Sequence, residues 1–178
     1  MNKKIRWITE TAVMLALLVT LQYLTKPLGQ LVTGSFVNAI LAVSVLLAGL
    51  GGGITVALIS PVLAYLLGIA PQVLTVPVIM VGNLLYVLML HLLSGSSIRK
   101  RITAWVIAAN VKFFVLYTMV SYLICDLLAP MLLEKGLLKA PMLTALPATF
   151  GAAQLVTALI GGGVAMLIVP VLRKALHK

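Results

Sequence analysis

Residues 102–128 read ITAWVIAANVKFFVLYTMVSYLICDLL, a stretch in which Lys112 and Asp126 are the only charged side chains and no proline or glycine interrupts. A helix crossing a bilayer needs about 20 mostly apolar residues, and this segment exceeds that length. It reads as a membrane span. The rest of the chain agrees with it. Of the 178 residues 62% are hydrophobic and 9% charged, and the mean hydropathy is +1.20. Ordinary soluble domains run about 25% charged and roughly 45–50% apolar. So few charges cannot form a polar skin over this much apolar side chain. A soluble enzyme, a disordered tail and a nucleic-acid module are thereby excluded.

Charge, proline and glycine cut five further apolar segments from the sequence. The six expected spans are residues 8–25, 35–50, 54–69, 76–93, 102–128 and 148–172. The boundary between the second and third is placed at Gly51-Gly52-Gly53. No repeat, linker or low-complexity tract divides the chain. The expected fold is an all-α polytopic membrane protein of six transmembrane helices, with residues 1–178 forming a single domain. The first span follows a basic N-terminus and imitates a secretory signal, but Leu21-Gln22-Tyr23-Leu24-Thr25-Lys26 has no small-x-small cleavage site, so it is expected to be retained.

The net charge of +10 then becomes a topology signal. Insertion leaves Lys and Arg in cytoplasmic loops. With the N-terminus inside, Lys3, Lys4, Arg6, Arg99, Lys100, Arg101, Arg173, Lys174 and Lys178 fall on the cytoplasmic face, and only Lys26, Lys135 and Lys139 fall outside. Both termini are expected to be cytoplasmic. Trp7 and Trp105 fall near the inner boundary, where indole rings favour the headgroup layer.

Catalytic chemistry is hard to find. The acids Glu10, Asp126 and Glu134 avoid mid-membrane, and His91 and His177 sit toward the cytoplasmic side. No zinc-protease, serine-hydrolase or phosphate-loop motif occurs. A proton-coupled carrier would need a buried carboxylate relay. The lone Cys125 allows neither an internal disulfide nor a thiolate cluster. The expectation is no enzyme, no metal and no cofactor.

Lys112 is the thirteenth cation, the one that topology does not account for. It stands about 15 Å from the inner end of its span. Burying an ammonium there costs on the order of 2.5–3.5 kcal/mol on insertion scales, and no acid lies at that depth. Asp126 is about 21 Å away along the same helix. Lys112 could line a water-accessible pocket for an anionic or carbonyl-rich ligand, snorkel to the interface, or hydrogen-bond to backbone carbonyls of a neighbouring helix. Asn38, Asn83, Tyr86, Tyr117, Ser121 and Gln154 share a depth in the outer half on several spans. Each alone could be helix-to-helix glue, but their common depth outlines a pocket open to the outside. On the fifth span, Lys112 points about 200° from Asn110, whereas Tyr117 and Ser121 share the Asn110 side. The Lys112 face is taken as the inward one.

Span one carries Thr9, Ala12, Ala16, Thr20 and Tyr23 along one face, and Ala12 and Ala16 would let a second helix approach closely. Six spans in a short chain, the segment Ala12-Val13-Met14-Leu15-Ala16 and the outer stretch Lys26-Pro-Leu-Gly-Gln-Leu-Val-Thr-Gly-Ser35 together resemble an S component of an energy-coupling factor (ECF) transporter. These are the substrate-capturing membrane subunits of vitamin-uptake ABC systems. The resemblance implies docking of Ala12 and Ala16 on a membrane T component, energised by two separate ATPase subunits. It also implies a pocket near the outer face, built chiefly from spans four to six and containing Asn83, Tyr86, Lys112, Tyr117 and Gln154, with Gln30 in a closing loop; Asn38, on span two, joins the pocket by its shared depth alone. The substrate would be a neutral or anionic vitamin or precursor, since no acid or Trp is available to cage a cation. The expected location is the cytoplasmic membrane of a prokaryote. The alternative is a non-transporting six-span scaffold similar to the cell-shape subunit MreD, in which Arg99-Lys100-Arg101 contacts anionic lipid or a cytoplasmic partner.

Overall fold

The structure is a computed structural model that describes residues 2–69 and 72–176. The readings placed on His177 and Lys178 lie outside the described residues. Helix α1 (Lys3–Thr25) begins where the Asn2 side chain accepts the Lys4 N–H at 3.0 Å, satisfying one of the donors that a helix start leaves unpaired. A short 3₁₀ turn, Lys26–Leu28, and Gly29 connect it to α2 (Gln30–Leu66). Then follow α3 (Thr75–Leu93), α4 (Ile98–Thr118), α5 (Ala129–Glu134), α6 (Met142–Phe150) and α7 (Ala152–Ala175).

Among the described residues, five helical stretches are long and apolar enough to cross a membrane, and the second contains 37 residues. At 1.5 Å per residue that is almost twice a bilayer core. It does not run straight. Gly49 has φ 78° and ψ −177°, a conformation essentially restricted to glycine. Beyond it, a Cβ at Gly53 would lie 3.0 Å from the Cα of Val45. Eight residues in a continuous helix separate their backbones by about 12 Å, so the two arms fold back on each other. The second and third expected spans are these arms. Their boundary moves from the glycine triplet to Gly49, because the triplet is helical and only Gly49 carries the left-handed backbone.

The fifth expected span is also not one regular helix. After Thr118 the chain continues as a π-helix over Met119–Leu127, closed by Leu128 N–H to Leu123 C=O at 3.0 Å. The sixth divides at Gly151 into α6 and α7. The first outer loop expected over residues 26–35 is shorter than that, since α2 already begins at Gln30.

Arg6 Nη2 donates to the Leu176 carbonyl at 3.5 Å and Arg173 Nη2 to the Leu46 carbonyl at 2.8 Å. The start of α1, the end of α7 and the segment before the Gly49 bend therefore share one end of the bundle, and the 94–97 loop lies there too, lining one cavity with Leu46 and Arg173. The main apolar core lies between the α2 arms, α3, α4 and α7, around Leu41, Val56, Val87, Leu90, Ala108 and Ala158. A second cluster at the opposite end joins Val78, Leu116, Val120, Ile124, Leu132, Leu146 and Phe150. Helix α1 packs on α2 and turns Ile5, Ile8, Val13, Leu17 and Leu24 outward. In water such a face would be a liability; on a multi-pass membrane protein it meets hydrocarbon or another helix.

Candidate functional site

Lys112 is 2% exposed. Its ammonium donates to Asn38 Oδ1 at 2.6 Å and to Asn83 Oδ1 at 2.7 Å. Two of its three N–H donors are thus held by neutral amide carbonyls from two other helices. The Tyr86 ring lies 5.5 Å from Nζ, within the range of a cation–π contact. These partners come from α2 and α3, so the cation ties three helices together. The sequence alternatives for Lys112 resolve in this way: its partners are side-chain carbonyls, and it does not snorkel.

One of the two asparagines is itself oriented. Asn38 Nδ2 donates to the Gly34 carbonyl at 2.9 Å and to Thr157 Oγ1 at 3.2 Å, which fixes its carbonyl oxygen toward Lys112. Thr157 in turn donates to the Gln154 carbonyl at 3.1 Å. This network requires α7 to approach α2 closely. At Gly161 a Cβ would sit 2.6 Å from the Ala39 backbone nitrogen, so a side chain there would hold the helices apart.

Above this network is a cavity of about 360 Å³. Lys112, Asn38 and Asn83 form part of its wall, with Thr33, Gln154 and Thr75 around them and Val37, Ile79, Leu116 and Phe150 supplying apolar surface. Gln30, Lys26, Gln22 and Gln72 line the side toward the α1–α2 corner. Lys26 Nζ donates to the Gly68 carbonyl at 2.6 Å, and Gln72 Nε2 to Met142 Sδ at 3.1 Å, so the segments flanking the cavity are joined across it. The cavity lies at the end opposite the chain termini.

Its chemistry is one-sided. Lys26 and Lys112 line it, and no Asp or Glu does among the described residues. Two amide atoms of lining residues, Gln22 Oε1 and Asn83 Nδ2, are buried without a hydrogen-bond partner among the described residues. One is an acceptor and one a donor. Unsatisfied polar atoms of this kind cost about 1–3 kcal/mol each and are a reason to look for a ligand. No group of three metal-ligating side chains occurs among the described residues.

Five residues expected in a pocket, Lys112, Asn38, Asn83, Gln154 and Gln30, line this one. Two do not. Tyr86 is fully buried one helical turn beyond Asn83, and its hydroxyl donates to the Ala158 carbonyl at 3.4 Å; it packs beneath the cavity, against Lys112. Tyr117 is 41% exposed and stacks on Phe113. It lies five residues beyond Lys112, about 140° around α4, on the outer face with Asn110, whose amide bonds back to the Val106 carbonyl at 2.8 Å. Gln22, Thr33, Gln72, Thr75 and Thr149 line the cavity without having been singled out. They sit at helix ends, where polar residues attract no notice. Ala12 and Ala16 lie exposed on α1, away from the cavity.

A family model described as ECF transporter, substrate-specific component, matches residues 6–173. No curated protein and no solved structure matches the chain.

Proposed function

Since the chain belongs to the substrate-specific components of ECF transporters, we propose that its 360 Å³ cavity captures a neutral or anionic vitamin or related small molecule. Members of this family are substrate-binding transporter subunits, which favours transport over the scaffold alternative. The observation that carries the reading is the Lys112 ammonium, held by Asn38 and Asn83 on the wall of a cavity with no acidic residue among those described. The volume suits a small ligand. Lys112 would attract a carboxylate or carbonyl oxygen, while Asn83 Nδ2 and Gln22 Oε1 would supply one donor and one acceptor. Gln154 and Gln30 would complete the contacts, with Gln30 near the mouth.

The family reading brings partners with it: a membrane T component and two ATPase subunits that energise release. Ala12 and Ala16 on the exposed face of α1 would meet the T component. The basic end, with both chain termini, would face the cytoplasm of a prokaryotic cell, and the cavity would open outside.

The test is mass spectrometry of small molecules retained through detergent purification, followed by binding assays on Lys112→Ala. A charge-assisted hydrogen bond contributes about 1.5–3 kcal/mol, so the variant should bind the retained molecule at least about tenfold more weakly. Unchanged affinity would remove Lys112 from the site. No retained molecule, together with no association with a T component, would overturn the function.

A further inference from the structure

The end of the bundle carrying the chain termini has a second cavity, of about 430 Å³, lined by Leu46, Ser94, Arg101, Met166, Pro170 and Arg173 among others. Its polar groups converge from three places. Arg101, in the first turn of α4, donates through Nε to the Gly95 carbonyl and through Nη2 to the Ser96 carbonyl, both at 3.2 Å. Arg173, near the end of α7, donates to the Leu46 carbonyl at 2.8 Å. Those bonds pin both guanidinium groups at the cavity wall while each keeps further N–H donors. Neither has an acidic partner among the described residues. The Ser94 hydroxyl is buried on the same wall without a hydrogen-bond partner among the described residues. Gly95 and Ser96 also line it, and Leu46, Met166, Val169 and Pro170 supply its apolar surface.

We infer that this cavity binds the phosphate group of an anionic phospholipid. Arginine pairs bidentately with phosphate oxygens, and two fixed guanidinium groups with a hydroxyl between α3 and α7 form a preorganised anion site. Leu46, Met166 and Pro170 offer surface to the first methylenes of a lipid, from which a free phosphate ion would gain nothing. The neighbouring outward residues Leu92, Ile98, Leu167 and Val171 are exposed and apolar, as a wall against acyl chains should be. Basic pockets between helices at a membrane surface take lipid headgroups in this manner.

The full chain is reconstituted in bilayers of equal parts phosphatidylcholine and phosphatidylglycerol, and retained lipids are counted by native mass spectrometry. Phosphatidylglycerol should be retained preferentially. Arg101→Gln with Arg173→Gln, which keeps amide donors for the backbone carbonyls, should reduce that preference about tenfold or more, since each charged hydrogen bond contributes about 1.5–3 kcal/mol. Arg99→Gln with Lys100→Gln, on the exposed rim, should leave it unchanged. If the double variant does not fold, Arg173→Gln alone carries the comparison. Equal retention of both lipids overturns the site, as does equal loss in the rim variant. Thermal stabilisation by inorganic phosphate in phosphatidylcholine alone, matching that of phosphatidylglycerol and lost in Arg173→Gln, would replace the lipid with a free ion. Loss of assembly with the T component and ATPases, without any lipid preference, would assign the arginines to a protein carboxylate instead.

Discussion

A single ammonium organises the cavity. Lys112 was conspicuous in the sequence because a charge at that depth is expensive and no acid could neutralise it. Asn38 and Asn83 were legible by their depth as polar residues of a pocket, but not as the partners of Lys112. Helical spacing already set Tyr117 on the far side of its helix from Lys112; what the sequence could not supply was whether Tyr86, one turn beyond Asn83, reaches the cavity or packs beneath it. The amides also stabilise the fold, and this separates from binding. Asn83→Leu removes one of the two carbonyl oxygens on Lys112 Nζ and leaves a buried cation under-satisfied, at a cost of about 1–3 kcal/mol. Its thermal midpoint in detergent should fall by several degrees. Asn110→Leu, on the outer face with its amide bonded only within α4, should leave the midpoint unchanged. Equal effects of the two substitutions would mean that the Lys112 network contributes nothing to stability.

The helices were legible by length and apolarity, their interruptions less so. Gly51, Gly52 and Gly53 look like a turn, yet they are helical, and the reversal rests on Gly49. Nothing local distinguishes one glycine among four; the choice follows from how the two arms pack. The π-helix after Thr118 is equally silent in the sequence, since residues 119–127 carry no proline or glycine. The role of Gly49 can be isolated because a Cβ there would meet no atom within 4 Å. Gly49→Ala therefore introduces backbone strain without a clash, about 1–3 kcal/mol for this region of φ and ψ. A lowered thermal midpoint with ligand affinity retained is the expected result, because the bend lies at the end opposite the cavity. An unchanged midpoint would show that the α2 arms are not joined by this turn.

At the scale of the molecule, the charge of the chain divides along the bundle axis. Lys3, Lys4, Arg6, Arg99, Lys100, Arg101, Arg173 and Lys174 belong to the end with the termini, whereas Lys26, Lys135 and Lys139 belong to the cavity end. That division was readable from the sequence because the positive-inside bias acts on loops, whose order survives errors of a few residues in the span boundaries. The outer face of α1 is a separate surface. It lies on the side of the bundle, with Ala12 and Ala16 exposed among Ile8, Val13 and Leu17. If that face serves a T component, a bulky residue should disturb the complex and spare the isolated subunit, because in the bilayer it meets only lipid until the partner arrives. Ala16→Trp should therefore fold and bind its small molecule with parental affinity, while uptake in cells carrying the T component and ATPases falls to background. The matched control is Leu167→Trp, on the exposed face of α7, where uptake should persist. Parental uptake by Ala16→Trp would move the docking surface elsewhere, and loss of binding in the isolated variant would show that α1 shapes the cavity rather than the complex.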